Sequence, residues 1–177
     1  MRLEPWNTSD LKAHELELSM YGTSEEVHEK AEMPRRASTF DEANKIMAGF
    51  INVPLVNPDG VTAFVSKNSA KEILSGKAVN TSFEKAAHLL AAVNVDKLFS
   101  NAVEPWAFGL NPEKSNEGLE ALRRFYAPMS YNGRIIFVKI TVKEMKNKNE
   151  GNRVYSLKAI DVGFENRGTG NLAPGVT

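Results

Sequence analysis

Three groups of side chains in this 177-residue sequence have the types and spacing to do chemistry. The first is one imidazole. His88 sits between Ala87 and Leu89, at the centre of the stretch with the clearest helical periodicity. An imidazole gives or takes a proton near neutral pH, which makes His88 a candidate general acid or base. The same position also suits a core or boundary histidine whose ring N–H meets a backbone carbonyl. The second group is a patch of Lys139, Thr141, Lys143, Ser156 and Lys158, with Arg153 and Tyr155 nearby. Metal-free RNA cleavage needs a base for the 2′-hydroxyl, an acid for the leaving oxygen and cations for the phosphorane. His88 assisted by Tyr155 or Ser156, with Lys139, Lys143, Arg153 and Lys158 on the phosphate, supplies each role in kind. The third group, Arg123-Arg124-Phe125-Tyr126, couples cations to aromatics, a pairing that grips a backbone and stacks a base, and makes Arg124 a further nucleic-acid contact. On a helix end, the same string reads as arginines lying over a buried Phe.

Other chemistries lack their residues. There is no cysteine, which excludes disulfides, thiolate nucleophiles, Cys-ligated zinc and iron–sulfur clusters. The histidines at 14, 28 and 88 show no metal-ligand spacing, and His14-Glu15 has no second His at the zincin distance. Neither a Gly-rich phosphate loop nor a Gly-x-Ser-x-Gly elbow occurs, and Asp59-Gly60 lacks the other ligands of a calcium loop. No metal and no cofactor is therefore expected.

Charge is unevenly spread. Lys and Arg total 22, Asp and Glu total 22, so the chain as a whole offers no argument for a polyanionic partner. Residues 134–158, however, hold seven basic side chains opposed only by Glu144 and Glu150. Such a surface attracts phosphates locally; the ordinary alternative is a solvated sheet face with a Lys-rich turn. No apolar run approaches the roughly 20 residues of a membrane span, and the N-terminus carries no signal-like apolar segment. A soluble cytoplasmic protein with no membrane partner is the expectation. With 42% hydrophobic residues and a length that buries about 70% of the unfolded surface, one sizeable core is within reach.

The elements that must position these groups follow from periodicity. Residues 1–38 read as a peripheral arm with a short helix over Asp10–Met20, and Trp6 and Trp106 as packing anchors. Thr39-Phe-Asp-Glu42 has the capping-box spacing, opening a helix that buries Phe40, Ala43, Ile46 and Met47 and stops at Gly49. Phe50–Val56 and Val61–Val65 flank Asn57-Pro-Asp-Gly60 as an early hairpin. Ser69-x-x-Glu72 and Thr81-x-x-Glu84 repeat the capping spacing, with Gly76 closing the first of these helices. The second buries Ala86, Leu89, Leu90, Val93 and Leu98, with a break near Asn94. Leu119–Tyr126 reads as a helical turn or two. Tyr131-Asn-Gly-Arg134 is a strong hairpin turn, followed by a strand with Ile136, Val138, Ile140 and Val142 on one face and Lys139, Thr141 and Lys143 on the other. A return strand over Arg153–Val162 is expected to set Val142 against Leu157, Ile140 against Ala159, Lys143 across from Ser156 and Thr141 across from Lys158. The Gly-containing stretch 163–177 reads as a linker. The predicted class is α+β: an early hairpin and a C-terminal three-stranded antiparallel meander packed on helices in two layers, one domain over 39–162.

Two stretches resemble a known family. They are His88-Leu-Leu-Ala-Ala-Val-Asn-Val-Asp-Lys-Leu-Phe-Ser-Asn-Ala102 and the series Arg124-Phe-Tyr-Ala-Pro128, Gly133-Arg-Ile-Ile-Phe-Val-Lys-Ile-Thr-Val-Lys-Glu144 and Val154-Tyr-Ser-Leu-Lys-Ala-Ile160. Together they are similar to the third type of large polyvalent-protein-associated domain, over roughly residues 50–162, most specifically in the strand Val138-Lys-Ile-Thr-Val-Lys-Glu144. The resemblance implies a phage or conjugative-element context. There, a long multidomain protein enters a recipient cell with incoming DNA, and the other domains of that parent protein are partners. The order of helices followed by an antiparallel sheet is also similar to barnase/EndoU/colicin/RelE-like ribonucleases. Two functions are thereby expected as alternatives. One is an effector or accessory domain with metal-independent endoribonuclease activity through His88; the other is a non-catalytic module binding a protein or a nucleic acid.

Overall fold

The structure is a computed structural model that describes residues 24–104, 120–145 and 151–160. The expected helix at 10–20, the two tryptophans, the Lys-rich turn and the C-terminal stretch lie outside the described residues.

The helices start where a hydroxyl can reach a free backbone N–H, and this moves two of the expected boundaries. Helix α1 spans Ser24–Ala31 and α2 spans Phe40–Ala48. Thr39 caps α2 by accepting from the Glu42 N–H at 3.1 Å, and the Glu42 carboxylate accepts from the Ser38 N–H at 2.7 Å. Ala43 and Met47 are buried, Phe40 and Ile46 pack at the rim, and Gly49 ends the helix as its spacing predicts. Helix α3, Lys67–Ile73, begins ahead of Ser69, because Ser66 takes the cap and accepts from the Ser69 N–H at 3.0 Å. Gly76 opens a helix instead of closing one: α4, Gly76–Val79, is capped by Ser75. The Thr81 hydroxyl turns back to donate to the Ala78 carbonyl at 2.6 Å, so it does not cap α5, Lys85–Val93, whose first flanking residue is Glu84. The Glu84 carboxylate accepts from the Tyr131 hydroxyl. Asn94 breaks the chain between α5 and α6, Val95–Ser100, and its side-chain amide donates to the Leu90 and Arg35 carbonyls. Ala87 is buried in α5, whereas Ala86 faces outward.

The early hairpin consists of β1, Leu55–Val56, and β2, Thr62–Ala63, paired antiparallel. Its turn is held by Asn57, whose side-chain oxygen accepts from Asp59 and Val61 and whose amide donates to Ala102 at 3.0 Å, while Gly60 takes φ +85°. The main sheet has strands β3, Glu120–Tyr131, β4, Arg134–Met145, and β5, Arg153–Ile160, in the order β3-β4-β5, all antiparallel. Asn132 and Gly133 both take positive φ in the connecting turn. Residues 120–126 are strand, not helix. Phe125, Ala127 and Met129 alternate inward against Ile140, Val138 and Ile136, and a helix would scatter that stripe.

The β4–β5 register departs from expectation by two residues: Ile140 faces Leu157, Thr141 faces Ser156 and Lys139 faces Lys158. An even shift keeps every face intact, so the apolar pattern alone does not forbid it. A bulge between Thr141 and Val142 then adds Tyr155 as an extra residue, and Val142 faces Val154. Without it, alternation from Leu157 would turn Tyr155 and Arg153 inward; with it, Val154 is fully buried and Tyr155 points out.

The inner face of the sheet joins α5 and α6 in one buried cluster that includes Leu89, Leu98, Phe99 and Ile140, and α2, with Met47, packs on α5 behind them. Phe99 meets Phe125 edge-on at 5.1 Å between ring centroids. This is the expected two-layer α+β arrangement. The segment after α1 is tied to it: the Arg35 guanidinium makes two bonds to Asp96, at 2.8 and 3.0 Å, and the Arg35 backbone N–H donates to the Asn94 side-chain oxygen. Among the described residues no helix is long and apolar enough to cross a membrane.

Candidate anion-binding cleft

The outer face of the sheet carries the chemistry-bearing side chains in cross-strand rows. Arg124, Thr141 and Ser156 form one row; Tyr126, Lys139 and Lys158 form the next. This face is not a flat solvated surface. Tyr126 and Phe137 are fully buried, and Lys139 and Thr141 retain only 8% and 5% exposure. Where it meets the α3–α4 segment it forms a cleft of about 450 Å³. Leu122 and Arg124 line it from β3, Lys139 and Thr141 from β4, and Tyr155, Ser156, Leu157 and Lys158 from β5. The opposite wall is Glu72, Ser75, Lys77, Ala78 and Thr81. Among the described residues the lining thus includes four basic side chains and one carboxylate.

Of the residues singled out in the sequence, the cleft collects Arg124, Lys139, Thr141, Tyr155, Ser156 and Lys158. Lys143 and Arg153 face each other across β4 and β5, just beyond it. The Lys143 ammonium lies 4.8 Å from the centroid of the Tyr155 ring, a cation–π contact at the cleft's edge. The paired arginines separate, since neighbours on a strand point to opposite faces. Arg124 lines the cleft, while Arg123 bonds the buried Glu104 at 2.7 and 2.9 Å and lies over Phe125. The reading of an arginine over a buried Phe holds for Arg123, on a strand rather than a helix and with its head paired to Glu104.

His88 is not among the residues lining the cleft. It has no exposed surface. Its Nδ1 lies 2.7 Å from the Ser82 hydroxyl, and its Nε2 lies 2.7 Å from the Ile73 carbonyl. The candidate general acid or base thus lies buried outside the cleft lining, in the alternative position, with its ring bonded to a backbone carbonyl. Burial lowers its pKa below the ordinary 6.5, opposed by the bond to Ile73. Ile73 and Ser82 bracket the segment that supplies Ser75, Lys77, Ala78 and Thr81, so His88 holds both ends of one cleft wall. Ser82 extends the chain of bonds by accepting from the Ala159 N–H at 2.8 Å, which fastens that wall to β5.

Lys77, Glu72, Ser75 and Thr81 escaped sequence reasoning. They stand some 80 residues before β5, and the tether at Ser82 that brings them to it leaves no periodic trace. The one available signal is the string of hydroxyls at 66, 69, 75, 81 and 82, which marks short capped helices folded back on themselves.

Residues 35–155 match the family model described as Large polyvalent protein-associated domain 3. No curated protein and no solved structure matches the chain. The matched span opens at Arg35, which anchors to α6, and contains the cleft except for Ser156, Leu157 and Lys158. The chain belongs to the large polyvalent protein-associated domain 3 family and is an accessory domain of polyvalent proteins.

Proposed function

We propose that this domain is a non-catalytic module that holds a nucleic-acid backbone in the cleft between α4 and the outer face of the sheet. It serves a larger phage or conjugative-element protein in the cytoplasm of the cell that receives the element's DNA. One observation carries this reading: Arg124, Lys139 and Lys158, each from a different strand, converge with Lys77 from the helical wall on a single concavity. Cations gathered in a cleft with low-dielectric walls concentrate the field that draws a phosphate chain. The Ser156 hydroxyl adds a donor for a phosphate oxygen, and Lys143 and Arg153 extend the positive edge.

The ribonuclease alternative assigned proton transfer to His88, with Tyr155 or Ser156 assisting. An acid–base group must come within hydrogen-bond reach of the proton it moves. An imidazole with no exposed surface and both nitrogens engaged supports a positioning role behind the cleft wall instead. The test incubates the full chain with labelled single-stranded RNA, with and without chelator. The expected result is retarded but intact RNA, with retention weakened several-fold by Lys158→Glu. Cleavage that His88→Ala abolishes would overturn the proposal and restore the catalytic alternative.

A further inference from the structure

Tyr155 is aimed outward by an irregularity in the strand, and its surroundings point to what it meets. Among the described residues three large apolar side chains are exposed, Val53, Val56 and Tyr155; only Tyr155, at 45%, lines the cleft. Simple alternation along β5 would turn this ring into the core beside Leu157. The bulge opposite Val142 aims it outward, at the expense of a regular ladder. One side of the ring is occupied by the Lys143 ammonium at 4.8 Å. Lys143 itself is not among the residues that line the cleft. The cleft itself, at about 450 Å³, is at the small end of ligand sites and has room for one or two nucleotides, not for a duplex.

We infer that Tyr155 is a stacking platform for a nucleobase, and that the cleft therefore takes single-stranded nucleic acid, with the adjoining phosphate toward Lys77, Arg124 and Lys158. The inference rests on the backbone-binding reading above and adds the base to it. Stacking on an aromatic ring is tolerant of sequence, because every base has a π-face, so the site reads strandedness and not sequence. An acidic peptide would use the same cations but would leave the ring of Tyr155 without a flat partner.

The experiment measures fluorescence anisotropy of the full chain with three labelled probes. These are an oligothymidylate, an abasic oligomer with the same number of phosphates, and an oligoglutamate of equal charge. The oligothymidylate is expected to bind most tightly. Tyr155→Ala is expected to weaken it about tenfold while leaving the abasic oligomer unchanged, and Tyr155→Phe to restore the wild-type affinity. Equal binding of all three probes, or a Tyr155→Ala variant that binds the oligothymidylate like wild type, overturns the stacking inference. If Lys158→Glu still weakens both oligomers in that case, the backbone reading survives. Failure of both oligomers to bind the wild type removes the backbone reading itself. Because Tyr155 is half-exposed and Val154 fills the core beside it, both substitutions preserve the fold that the assay requires.

Discussion

The hydrogen bonds around His88 leave one consistent assignment. The Ile73 carbonyl only accepts, so Nε2 carries the proton; Nδ1 is then bare and accepts from the Ser82 hydroxyl, whose oxygen accepts from the Ala159 N–H. A second proton on the ring would make the Ser82 hydroxyl turn its own proton away from Nδ1, its acceptor, and would place a charge in the core. Stability should follow. The folded pKa lies below 6.5, so under acid the unfolded chain takes up a proton that the folded chain refuses. The contribution is constant above the unfolded value and is lost as pH falls from there toward the folded pKa. Urea unfolding between about pH 7 and pH 5 should show wild type losing stability faster than His88→Gln, with a difference slope of at most about 1.4 kcal/mol per pH unit. Parallel profiles would contradict the assignment.

The strands show what a sequence specifies and what it leaves free. Alternation of Ile136, Val138, Ile140 and Val142 identified the side of β4 that enters the apolar core cluster, and Asn132-Gly133 identified its turn, so the meander was readable. Register was not, because a two-residue shift preserves both faces and no side chain objects to it. The bulge was hidden for a related reason: only the pairing of Val154 with Val142 reveals that Tyr155 is one residue too many. Helix starts went astray at Ser69 and Thr81 because several serines and threonines compete for each free N–H, and position decides among them. The approach to β5 offers a direct check on this packing. Gly151 takes φ +74°, and a Cβ there would sit 3.3 Å from the Phe64 ring, beside the Phe64 N–H bond to the Asn152 carbonyl at 2.9 Å. Gly151→Ala should cost about 1–2 kcal/mol, read from the urea midpoint at unchanged m-value, and an unaltered midpoint would mean that this segment is free to adjust.

Taken as one body, the molecule builds its cleft from distant parts, and this governs how much of the site was readable. The sequence reveals the cations of β4 and β5 because they alternate with apolar residues, and Arg124 because it stands beside aromatics. It hides the helical wall, whose Lys77 comes opposite them through packing of α3 and α4 on β5 and the bonds at Ser82, and it leaves open whether His88 faces inward or outward. A neutral chain with a locally positive concavity should bind a polyanion weakly, and mainly by releasing counterions. The most direct measurement is the affinity for a single-stranded oligonucleotide over a range of salt concentrations, for wild type and for the combined Lys77→Gln, Arg124→Gln, Lys158→Gln variant. The account predicts that log K falls linearly with log salt and that the triple substitution flattens the slope by about two. A slope that the substitutions leave unchanged would place any binding elsewhere on the protein and contradict the account.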